Sequence, residues 1–85
     1  MENLSEKITV ATFFNHYGAM RMKKALGPDA LLRPVPRLLS SSCGTCVFIQ
    51  RTHEVLQEIL EKADENLEAV YIKDGDKYTN IWKVS

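Results

Sequence analysis

Apolar side chains recur along the sequence in two rhythms, alternating runs and stripes at helical spacing, and the same succession occurs twice. Lys7-Ile8-Thr9-Val10-Ala11-Thr12-Phe13-Phe14 joins β-branched and aromatic residues, which fits a buried central strand better than a helix. Asn15 is a competent N-cap, and Ala19, Met22 and Leu26 then recur at helical spacing to give one apolar stripe. Gly27-Pro28-Asp29 stops that helix. A second strand is expected over Ala30 to Val35 and a third over Thr45 to Gln50.

Beyond the third strand the scheme repeats. Thr52 can cap a helix, with His53 at its start and Glu54 near its N-terminal dipole. Val55, Ile59, Leu60, Ala63 and Leu67 form its expected apolar face, the glutamates its solvated one, and Asn66 its exit. Leu67 to Ile72 reads as a fourth strand and Asp74-Gly75-Asp76 as a turn. Tyr78 to Val84 returns as a short edge strand, with Trp82 packed or exposed at its margin, and the phenylalanines and methionines are assigned to the core. The order βαββαβ with a terminal strand predicts an α+β fold, a ferredoxin-like two-layer sandwich with both helices on one face. One domain is expected over residues 1–85: a lead-in at 1–6, a core at 7–73, and a turn and strand at 74–85.

Between the second and third strands lies Pro34-Val35-Pro36-Arg37-Leu38-Leu39-Ser40-Ser41-Ser42-Cys43-Gly44-Thr45-Cys46, which holds both cysteines of the chain. Each proline fixes φ and removes a backbone donor, so the arriving strand ends here. Polar serines and a glycine around Cys43 place the thiol in a loop rather than in apolar packing, where structural free cysteines usually sit. In the predicted topology the first and second strands run parallel. The Cys43 loop and the Asn15-His16 turn therefore meet at one end of the sheet, where helix-start amides, His16 and Arg37 would favour the thiolate, the reactive form. Ser41 and Ser42 can donate to a sulfur anion, and Gly44 lets a partner approach closely.

Composition narrows the function classes. An 85-residue chain buries only roughly 60 to 65% of its unfolded surface, so function belongs in a loop or a shallow groove. Eleven basic and eleven acidic residues cancel, which gives no general attraction to nucleic acid or to an anionic membrane. Basic residues gather in the first half (Arg21, Lys23, Lys24, Arg33, Arg37) and acidic ones in the second, an asymmetry suited to docking on a protein. The amino terminus is polar and no run has the apolar length to span a bilayer, so a cytoplasmic location is expected. In a reducing compartment, two cysteines at this spacing point to metal, redox or sulfur chemistry. No cofactor is expected. There is no phosphate-binding glycine loop, paired-carboxylate arrangement or hydrolase triad, and aromatics do not interleave with a basic strip.

The residues leave several readings open. Cys43-Gly44-Thr45-Cys46 has the Cys-x-x-Cys spacing of a dithiol redox pair, although such a pair normally opens a helix and this one precedes a strand. A metal site would need about four ligands, and one chain offers two cysteines and His16; a homodimer would bring four thiolates together. A non-catalytic interaction module uses neither thiol.

Val10-Ala11-Thr12-Phe13, His16, Ala19, Leu26, Pro34-Val35-Pro36-Arg37 and Ser40-Ser41-Ser42-Cys43-Gly44 resemble a family of small selenium/sulfur carrier protein-like domains. The likeness runs from about Ile8 to Val70-Tyr71, with the proline-arginine and serine-cysteine motif as its specific part. Asn15 stands where that family tends to have threonine, and Cys46 is an addition beyond the Ser-Ser-Cys-Gly core. The resemblance implies a carrier that accepts a persulfide or selenopersulfide on Cys43 from a donor protein and passes it to an acceptor protein. Cys46 would be the resolving thiol.

Overall fold

The computed structural model describes residues 7–50, 55–63 and 65–84. Strand β1 (Lys7–Phe13) buries Thr9, Val10, Ala11, Thr12 and Phe13 in succession. A strand buried on both faces belongs inside a sheet, and β1 is flanked on both sides, by β3 (Thr45–Ile49) and β4 (Leu67–Asp74). With β2 (Ala30–Pro34) and β5 (Lys77–Lys83) at the edges, the order is β2-β3-β1-β4-β5, and every neighbouring pair is antiparallel. Helices α1 (His16–Leu26) and α2 (Val55–Lys62) complete an α+β fold of two helices and a five-stranded antiparallel sheet among the described residues. None of these helices is long and apolar enough to cross a membrane.

Alternation divides β1 between two environments. Ala11 and Phe13 join Val47, Ile49 and Val70 in a core with Ala19, Met22 and Leu26 of α1 and Val55 and Ile59 of α2, so both helices pack on one face. Val10 and Thr12 point to the opposite, helix-free face, where their cross-strand partners are Phe48 and Cys46 of β3 and Tyr71 and Ala69 of β4.

Local chemistry sets the boundaries. Asn15 caps α1: its Oδ1 accepts from the Gly18 N–H at 2.9 Å. Gly27, at φ 78°, ends the helix, and a single 3-10 turn over Gly27–Asp29 leads into β2. Gly75 takes φ 62° in the β4–β5 turn.

Several expectations need correction. Leu60 is 38% exposed rather than part of the apolar face, because it follows Ile59 directly and is rotated about 100° from it; Leu56 and Ala63 pack there instead. Leu67 belongs to β4, not to the helix, which ends at Lys62. Met20 is exposed, since the buried stripe of α1 is Gly18, Ala19, Met22 and Leu26, and Phe14, which follows buried Phe13 beyond the end of β1, is exposed as well. Trp82 is half-buried and packs against the core. The lead-in at 1–6, the proposed cap at Thr52 with His53 and Glu54, and Asp64 lie outside the described residues.

Gly18 lies where α1 packs tightly against the residues around the start of β4. A Cβ there would stand 2.6 Å from Asn66 Cβ and 3.1 Å from Phe13 Cδ2. Gly18→Ala is expected to lower stability by about 1 to 3 kcal/mol through overpacking, a loss that exceeds the gain of about 1 kcal/mol in helix propensity. Gly44→Ala meets nothing within 4 Å and serves as the control. Urea unfolding of both variants checks this, and equal stabilities would show that Asn66 yields without cost.

Candidate functional site

β1 and β2 both pair antiparallel with β3, so they run parallel to each other and end at the same edge of the sheet. At that edge β1 gives way to the start of α1, and β2 gives way to the loop of residues 35–44. The β2–β3 ladder continues one step into the loop through Val35 N–H to Gly44 O at 3.0 Å. A turn closed by Leu39 N–H to Pro36 O then puts Arg37 and Leu38 at its tip, both exposed.

The returning limb of the loop is fastened to the sheet by one carboxylate. Glu68 Oε1 accepts from the Ser41 hydroxyl at 2.8 Å and the Ser42 N–H at 3.3 Å, and Oε2 accepts from the Ser42 hydroxyl at 3.1 Å. Glu68 reaches the loop because the β1–β4 register shifts here: Phe13 faces Leu67 and Thr12 faces Ala69, which leaves Glu68 as a bulged residue whose side chain is re-aimed. Ser41 Oγ also lies 3.2 Å from Phe13 O and accepts the Cys43 N–H at 3.3 Å. The serine hydroxyls are thus engaged in holding the loop rather than directed at sulfur.

His16, the first residue of α1, brings Nδ1 to within 3.1 Å of Thr45 Oγ1. The Thr45 N–H in turn donates to Cys43 Sγ at 3.4 Å. Of the expected site residues, Cys43, His16, Ser41, Ser42, Gly44 and Asn15 therefore meet at this one edge, with His16 linked to Cys43 through Thr45. Arg37 stands at the turn tip, where no described residue pairs with it. Asn15 has a second task beyond capping: its Nδ2 donates to Asn66 Oδ1 at 2.7 Å, and Phe14 N–H donates to Asn66 O at 2.8 Å.

The two thiols occupy different environments. Cys43 is half-buried on the loop, and Cys46 is fully buried in β3, its S–H donating to Pro34 O at 3.7 Å; the two are not joined in a disulfide. Burial, and next the neighbouring Cys43, push the Cys46 thiol from the ordinary 9.0 up to about 11. Tyr17 and Met20 are exposed on α1 and Phe14 just before its cap, with the Arg21 guanidinium 5.6 Å from the Tyr17 ring centre. No group of three or more His, Cys, Asp or Glu able to hold a metal ion occurs among the described residues.

Glu68, Asn66 and Thr45 were not among the site residues expected from sequence. A lone charge between buried Leu67 and Ala69 at the head of a strand was the available signal for Glu68, but the bulge that directs it depends on pairing with β1.

Two outcomes follow from this geometry. The unfolded chain releases the Cys46 proton near pH 9.0 and the folded chain near about 11, so stability is complete below the first value and falls as pH rises toward the second. The advantage of wild type over Cys46→Ala in urea unfolding should shrink by about 2 to 3 kcal/mol across that window, and a constant difference would contradict the burial argument. Glu68→Ala should leave the core folded and raise amide exchange at Ser42 by roughly tenfold or more; unchanged protection would mean that the loop is held by other contacts.

Comparison with curated proteins and with solved structures gives no match. A family model does match, over residues 9–72, a span that takes in most of β1, α1, the whole cysteine loop and most of β4. By that match the chain belongs to the family described as "Putative Se/S carrier protein-like".

Proposed function

We propose that this chain carries sulfur or selenium as a persulfide or selenopersulfide on Cys43, taking it from a donor protein and giving it to an acceptor protein. The observation that carries this reading is the unequal placement of the two thiols: Cys43 half-exposed on a fastened loop, Cys46 buried beneath it. Family membership supports the cargo. In the loading step the Cys43 thiolate attacks the terminal sulfur of a persulfide on the donor. A new S–S bond forms at Cys43, the donor's S–S bond breaks, and the donor's own sulfur leaves as thiolate. Delivery is the same displacement with an acceptor nucleophile, and no outside oxidant or reductant enters either step.

The Thr45 N–H is a donor already aimed at the sulfur, and a thiolate accepts it more strongly than a thiol does. His16 acts here as a positioning residue, since its ring holds the Thr45 side chain. Gly44 has no positive φ and no neighbour that a Cβ would meet, so neither backbone nor packing calls for glycine there. Access for a partner is the role left for it. Exposed Phe14, Tyr17 and Met20 beside Arg21 and Lys24, with Arg37 and Leu38 at the loop tip, have the mixed apolar and basic character of a protein-docking surface. Two unpaired cysteines suit a reducing compartment such as the cytoplasm. The order β2-β3-β1-β4 with both helices on one face favours a ferredoxin-like sandwich, extended at one edge by β5.

Incubation with a cysteine desulfurase and L-cysteine, followed by intact-protein mass spectrometry, tests the reading. Wild type and Cys46→Ala should each gain the mass of one sulfur atom, and folded Cys43→Ser should gain none. Sulfur retained by Cys43→Ser, or lost only in Cys46→Ala, would reverse the assignment. L-selenocysteine in place of L-cysteine separates the two cargoes.

A further inference from the structure

We propose that the hollow between the serine loop and the helix-free face of the sheet binds a small zwitterion, an α-amino acid, with its carboxylate on Lys83 and its ammonium toward Glu68. The cavity is about 340 Å³, bounded by Ser40 to Ser42, by Glu68 and Lys83, and by Ala69 and Tyr71. That volume lies at the lower end for small-molecule sites.

The sheet explains why these groups converge. Ala69 faces Thr12 and Tyr71 faces Val10, so both lie on the face that no helix covers. Lys83 is the cross-strand partner of Ala69 and joins that face from β5. The alanine leaves open the space that a larger side chain would fill. Glu68 is held by three donors from the serine loop, which fixes its orientation while two carboxylate oxygens still offer about four acceptor positions in all. The Lys83 ammonium and the Ser40 hydroxyl are exposed and have no hydrogen bond or ion pair with described residues.

Opposite charges lining one small cavity select the ligand. A plain anion attracted by Lys83 meets the Glu68 charge, and a plain cation meets Lys83. A molecule carrying both charges a few bonds apart satisfies both, and the half-buried Tyr71 ring offers its side chain an apolar surface. Binding requires no chemistry at Cys43, although the Cys43 N–H is hydrogen-bonded to Ser41 on the cavity wall.

The test is an NMR titration of the 15N-labelled protein with L-serine, which has no thiol to react. Saturable shifts are expected at the amides of Ser42, Glu68 and Lys83. N-acetyl-L-serine and L-serine methyl ester, each lacking one charge, should bind weaker by roughly tenfold or more, as should L-serine to Lys83→Met and, by a smaller factor, to Ser40→Ala. Absence of saturable shifts, equal binding of the singly charged analogues, or binding unaffected by Lys83→Met would each overturn the assignment. Sulfur loading of Cys43 measured on the same samples keeps this outcome separate from the carrier reading.

Discussion

One carboxylate decides whether the cysteine loop has a defined shape. Ten residues between β2 and β3 carry a backbone ordering cost of about 1 to 2 kcal/mol each, and the loop's own apolar contribution is small, since Leu38 is 72% exposed. Hydrogen bonds to a charged group contribute about 1.5 to 3 kcal/mol, and the partial exposure of Glu68 and the serines puts theirs toward the lower value. Three such bonds on one limb, with the Val35–Gly44 rung on the other, pin the loop at both ends and leave its tip free. Ser41 and Ser42 are therefore structural first: they supply donors close enough in sequence for a single bulged glutamate to collect.

That clamp works only because β1 is fixed. Buried from Thr9 to Phe13 and paired on both sides, β1 sets the register against which Glu68 is displaced. The same strand ends at the Asn15 cap, whose side chain reaches Asn66 immediately before β4 begins, and Gly18 admits that contact by having no side chain. The α1 start, the entry to β4 and the cysteine loop are thus three parts of one junction, and a disturbance at Gly18 or Asn66 is transmitted to the loop through the position of Glu68.

The sequence made the repeated strand and helix succession readable because its signals are local: alternation in β1, an asparagine cap, Gly27 and Gly75 at positive φ. The meeting of His16 with the cysteine loop was readable as well, since it follows from the parallel direction of β1 and β2 alone. What could not be read depends on contacts distant in sequence. Leu60 and Met20 are apolar at helical positions, and only the placement of the helix against the sheet shows that they face outward. Glu68 resembled one more solvated glutamate until a register shift turned it toward Ser41 and Ser42. Serines beside a thiol suggested donors for sulfur, whereas the Ser41 and Ser42 hydroxyls are taken by a carboxylate 27 and 26 residues away.

If Cys43 carries sulfur as proposed, the burial of Cys46 bears on why a second thiol three residues away need not discharge it. A persulfide on Cys43 is consumed internally only if a Cys46 thiolate attacks the Cys43 sulfur and expels hydrosulfide, leaving a disulfide. At neutral pH the buried Cys46 retains its proton, with a thiol raised to about 11 and its S–H directed at Pro34 O. Moreover, its strand is paired on both sides, opposite Thr12 and Arg33, which restrains Cys46 in the sheet. The burial of Cys46 within β3, and next the neighbouring Cys43, are what set the two sulfurs apart, while the Glu68 clamp gives the loop that carries Cys43 its shape.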